Sequence, residues 1–91
     1  MKVKKPPNIP VKSQLISGIG ASSWFYIEKE KNHYIITRYS EEGVLECSGK
    51  FKLLENNFDI DKPFQFTYLS HCKKCTIKQN NVVFNFISCK E

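Results

Sequence analysis

The chain has 91 residues, 41% hydrophobic and 13% aromatic against 25% charged; this excludes a disordered chain and allows one small domain with a thin core. Its formal charge of +5 is uneven: Lys2, Lys4, Lys5 and Lys12 precede every acid, and residues 13–91 hold ten bases and nine acids, a net of +1. A nearly neutral body excludes the whole-body basic field of a typical nucleic-acid-binding domain.

Residues 1–13, MKVKKPPNIPVKS, predict a flexible, basic, proline-rich leader, because Pro6, Pro7 and Pro10 withhold backbone donors and favour extended chain. Residues 14–91 read as a single β domain. No apolar run approaches a membrane span, and the charged N-terminus has no apolar signal core. The expectation is therefore a cytoplasmic protein with no membrane contact. Its four cysteines, Cys47, Cys72, Cys75 and Cys89, are expected as free thiols there.

The front segment Leu15–Ala21 predicts a short strand, with Gly18 and Gly20 at a corner. In Ser23–Glu30 the aromatic and β-branched residues disfavour helix. On a strand, Trp24, Tyr26 and Glu28 share one face, and Phe25 and Ile27 the other. Lys31–Asn32 is the right length for a hairpin link into His33–Ser40. A turn at Ser40–Gly43 leads to Val44–Leu54, where Leu45, Cys47, Gly49 and Phe51 alternate with Glu46, Ser48, Lys50 and Lys52. That alternation predicts one buried and one wet face, and the inward Gly49 suggests a bulge or a close approach. Glu55–Pro63 is loop, with Phe58 and Ile60 as plugs. Phe64–Ser70 is a strand with Phe64, Phe66 and Tyr68 on one face. Cys75–Gln79 and Val82–Cys89 flank Asn80–Asn81, a type I′ turn, since asparagine tolerates the left-handed region. The sum is an all-β, antiparallel meander of about six strands, curled into a small open barrel or sandwich.

The stretch SHCKKCT at 70–76 carries the most chemistry. Cys72 and Cys75 have the spacing of half a zinc ribbon, and Cys47, Cys89 and His71 are the candidates to complete a tetrahedral site. The usual second pair is missing, so zinc is an alternative and the main expectation is no cofactor. Lys73, Lys74 and His71 would favour a thiolate, yet the pair lies between strands and not at the helix N-terminus of a redox motif. A polar turn between two strands accounts for these residues most simply. The glycines of Ser17–Ser23 run into a strand, not the helix a phosphate cradle requires. Asp59 and Asp61 read as turn caps, and no base is placed against a nucleophile, so the chain is not expected to be an enzyme.

The blocks SGIGASSWFYI, RYSEEGVLECSGKF and FTYLSHCKKCTIKQN resemble a family of short proteins from Bacteroidetes that has no assigned activity. The resemblance spans roughly residues 14–87. It implies a bacterial, cytosolic setting and transfers no catalytic or binding residue. The resulting expectation is a small non-catalytic interaction module, most simply for a protein partner, with Tyr68, His71, Lys73 and Lys74 as its contact residues. Single-stranded nucleic acid, stacked on exposed tyrosines, is a further alternative. An exposed edge strand would also permit a homodimer.

Overall fold

The computed structural model describes residues 4–18, 21–54, 57–70 and 73–89; for residues 18, 21 and 68–70 it is the backbone that is described. Seven strands form one antiparallel sheet: β1 (Gln14–Gly18), β2 (Ala21–Lys29), β3 (Tyr34–Ser40), β4 (Leu45–Leu53), β5 (Gln65–Ser70), β6 (Lys74–Gln79) and β7 (Val82–Ser88). This all-β, barrel-like architecture is the expected class. The strands among the described residues fall on the seven segments named from the sequence, one more than the total of about six, and the front segment pairs with β2 along its whole length, from Gln14↔Phe25 to Gly18↔Ala21.

The strand order, β1-β2-β3-β4-β7-β6-β5, is not that of a simple meander. After β4 the loop carries the chain across one end of the sheet. The chain returns as β5 against β1, and β7 then fills the place beside β4. Gln14 closes the seam with its side chain. Its Nε2 donates to the Phe64 carbonyl at 2.9 Å, and its Oε1 accepts from the Phe66 amide at 2.9 Å. One amide thus stands in for a rung of backbone ladder and satisfies groups that an open edge would expose.

The core is aromatic. Phe51, Phe66, Phe86, Ile36, Ile77 and Cys75 are fully enclosed, and Phe25, Ile27, Tyr34, Phe58 and Phe84 complete the cluster. Phe58 plugs one end from the loop, with Ile60 packed against the same cluster, as the sequence suggests. Gln79, buried at the end of β6, holds the loop closed by donating to the carbonyls of Asp59 (2.8 Å), Pro63 (3.2 Å) and Lys62 (3.3 Å).

The turns follow residue chemistry. Asn80 and Asn81 have φ of 53° and 65°, both left-handed as a type I′ hairpin requires. Glu30 N bonds His33 O at 2.8 Å and closes the hairpin over Lys31–Asn32. Gly49 keeps regular register opposite Ile36, and the bulge falls instead where Arg38 pairs Cys47 but Tyr39 pairs Leu45. The extra residue is Glu46, re-aimed so that its Oε1 meets Arg38 Nε at 2.9 Å; turning a side chain out of the pleat is what a bulge does. The same irregularity leaves Leu45 59% exposed despite its place in the alternation.

The described part of the leader lies against the barrel. Ile9 is buried, and Asn8 Nδ2 donates to the Gly43 carbonyl at 2.8 Å. Gly43 has φ +94°, and a Cβ there would come within 2.6 Å of Asn8 Oδ1 and 2.8 Å of Pro6 Cβ. Glycine is required both by the left-handed turn and by the leader above it. One apolar and one amide side chain of the described leader residues thus contact the barrel.

Candidate functional site

The candidate cysteines go to different environments. Cys75 opens the inward face of β6, opposite Leu69 and Phe86, and is fully enclosed. Burial pushes its thiol from 9.0 up to about 12, which opposes the thiolate that zinc or redox chemistry needs. Cys89, half-buried, is also a free thiol; its amide donates to the Lys50 carbonyl at 2.8 Å. Cys47 is half-buried on β4 and disulfide-bonded, so the expectation of free thiols holds for Cys75 and Cys89 and not for Cys47. Cys72 and His71 lie outside the described residues, as does the Tyr68 side chain. Among the described residues, no three groups of metal-ligand type come together.

The state of Cys75 is directly measurable. Native protein treated with a thiol alkylator near neutral pH should be modified at Cys89 and spared at Cys75, with Cys75 reacting after unfolding. The linkage has a definite sign. Between pH 9.0 and about 12 the unfolded chain releases a proton that the folded chain retains, so stability is intact below 9 and falls as pH rises. Tyr34, raised above 10.0 by burial and by the charge of Asp59, contributes with the same sign. A Cys75→Ala variant should therefore lose less stability than wild type on going alkaline; equal loss, or alkylation of native Cys75, would contradict the burial.

Asp59 acts as a turn former. Its Oδ1 accepts from the Asp61 amide at 3.0 Å and its carbonyl from the Lys62 amide at 3.1 Å. Beside it an open cleft of about 670 Å³ runs between the leader, β2 and this loop, lined by Lys12, Tyr26, Lys29, Asp61 and Phe64 among others. Its charges are of both signs, which gives no preference for a ligand of either.

The outer face of β4, β7 and β6 is different. Pairing sets Ile87 between Lys52 on β4 and Lys74 on β6. The next outward row joins Asn85 to Thr76, with the Leu54 amide on the Asn85 carbonyl at 3.0 Å. The row beyond pairs Val83 with Lys78. Leu54, Val83 and Ile87 are 60%, 50% and 42% exposed, and Lys50, Lys52, Lys73, Lys74 and Lys78 are exposed with them. Of the expected contact residues, Lys73 and Lys74 stand at one end of this face. Lys52, Lys78, Val83 and Ile87 are not among those singled out from sequence. The signal that would have found them is the complete lack of Asp and Glu between residues 63 and 89.

These features define a small antiparallel β-barrel domain, closed at its seam by a side chain and carrying one basic, partly apolar outer face. The chain belongs to the family described as the DUF6695 C-terminal domain, which matches residues 13–89. No curated protein and no solved structure gives a significant match.

Proposed function

We propose that this domain is a small non-catalytic module that binds a protein, and that the partner docks on the outer face of β4, β7 and β6 beside the 70–76 link. The observation that carries the reading is the row of outward aliphatic side chains, Leu54, Val83 and Ile87, left exposed on a regular sheet and rimmed by lysines. Apolar surface of that kind, bordered by polar groups, is typical of contact sites. Lys73 and Lys74 belong to its edge, and Tyr68 and His71 are proposed to extend it. A bacterial, cytoplasmic setting goes with this proposal. The disulfide at Cys47 weighs against the cytoplasmic part of it, since disulfides persist mainly in oxidising surroundings.

The test is quantitative cross-linking capture in the source cells with wild type and a Val83→Asp/Ile87→Asp variant. Both positions point outward, so the variant should keep its melting temperature. A specific protein recovered with wild type and lost with the variant supports the reading; identical recoveries reject it.

A further inference from the structure

Within residues 13–91 the net charge of +1 conceals a segregation. The acids run from Glu28 to Asp61, with Glu91 at the end, and the stretch 63–89 contains Lys73, Lys74 and Lys78 and no acid at all. The fold adds Lys50 and Lys52 to them, because β4 pairs with β7 and its outward residues join the same surface. The described carboxylate pairs lie elsewhere: Arg38 on β3 is held by Glu46 at 2.9 Å and His33 meets Glu30 at 3.2 Å. On the β4–β7–β6 face no lysine has a carboxylate within ion-pair distance among the described residues. Lysines without a carboxylate partner among the described residues surround aliphatic side chains on three adjacent strands.

From this we infer the chemistry of the occupant: an acidic protein segment that also carries aliphatic side chains, its carboxylates meeting Lys52, Lys74 and Lys78 and its apolar residues covering Ile87 and Val83. The inference rests on the protein-binding reading above and narrows it. Charge complementarity sets orientation and encounter rate, and the apolar row supplies the surface that is removed from water. A nucleic acid would meet the same lysines, but base stacking needs exposed rings. The described side chains of the central rows are Ile87, Asn85, Val83 and Thr76, none of them aromatic. The aliphatic centre favours a protein segment over a single strand, and Tyr68, which pairs with Thr76, makes the oligonucleotide comparison below the deciding one.

The probe is a short labelled peptide of mixed glutamate and leucine, compared with polyglutamate and with a thymidine oligonucleotide, on the full chain. The mixed peptide should bind, weaken with added salt, and bind at least about tenfold more weakly to Lys52→Glu/Lys74→Glu, since like charge replaces attraction on both sides of Ile87. An Ile87→Ser variant should lose affinity for the mixed peptide and leave polyglutamate binding unchanged. Thermal unfolding of each variant, unchanged because these side chains point outward, confirms that the fold survives. Equal binding of the mixed peptide to wild type and to the double charge reversal overturns the inference, and tighter binding of the oligonucleotide than of the peptide overturns it in favour of nucleic acid. The cross-linking capture separates the two levels. A cellular partner retained by the charge reversal but lost by Val83→Asp/Ile87→Asp leaves the protein-binding reading standing and removes the acidic partner, whereas one retained by both removes the reading itself.

Discussion

Phe58→Ala should lower stability by about 3–5 kcal/mol, the range for deleting a buried phenylalanine, although the residue belongs to a loop. The magnitude follows from its surroundings. The ring centroid of Phe58 lies 5.3 Å from Phe64, 5.4 Å from Phe86, 5.6 Å from Phe84 and 6.0 Å from Tyr34, the first two and the last edge-on. Each such pairing adds about 0.5–1.5 kcal/mol beyond area burial, and removing the ring leaves a cavity at the barrel end that four aromatics cannot close without leaving their rotamers. Small domains have only about 5–15 kcal/mol in total, so the melting temperature should fall by at least about 12 °C. Ile60→Ala, half-buried in the same loop, is the comparator and should lose less. If Phe58→Ala changed stability by no more than a surface substitution, about 0.5 kcal/mol, the barrel end would not be plugged from this loop.

Much of this arrangement could be read from residue order, and the reason is local. Side chains on a strand change sides at every residue, so Phe25 and Ile27, or Phe84 and Phe86, declare the inner face without knowledge of the partner strand. The Asn80–Asn81 turn is equally local, since two successive left-handed residues suit asparagine. What stayed hidden is whatever depends on which strand lies beside which. The β4–β7 pairing joins residues more than thirty positions apart (Phe51↔Ser88), and no alternation encodes it. Ile87 therefore gave no sign that Lys52 would flank it. Gly49 misdirects the bulge because glycine is a common bulge residue, whereas Arg38 and Glu46 gain an ion pair by placing it at Glu46. Trp24 shows a related limit: it lies on the outward face by alternation and is still buried. A leader judged by composition alone looks solvated, because Ile9 is one apolar residue among prolines and lysines. For the candidate face, the lack of Asp and Glu from residue 63 to 89 is present in the sequence, but the net charge of the whole body averages it away, and its meaning appears only when the strands that carry it are laid side by side.

Gln79→Leu is expected to be nearly as damaging, about 3 kcal/mol, through hydrogen bonds and not volume. The amide is buried, donates through Nε2 to the carbonyls of Asp59, Lys62 and Pro63, and accepts from the Asp59 amide at 3.0 Å. A single hydrogen bond contributes about 1 kcal/mol net, but a buried group stripped of its partner loses about 1–3 kcal/mol. Leucine has similar volume and leaves the loop's inward groups unmatched, so its transfer gain offsets only part of the loss. Glutamate separates the two explanations. Its carboxylate can still accept from the Asp59 amide but turns negative oxygen toward three carbonyls, so at neutral pH Gln79→Glu should be less stable than Gln79→Leu. On acidification the glutamate takes up a proton and regains a donor. Burial raises its folded pKa above the unfolded value of about 4.3, so the folded form binds the proton more tightly and stability should recover as pH falls through that range. Denaturant midpoints of the three proteins at neutral and mildly acidic pH test this. If the glutamate variant matched wild type at neutral pH, or failed to gain on acidification relative to the leucine variant, the loop would be held by packing of Phe58 and Ile60 alone.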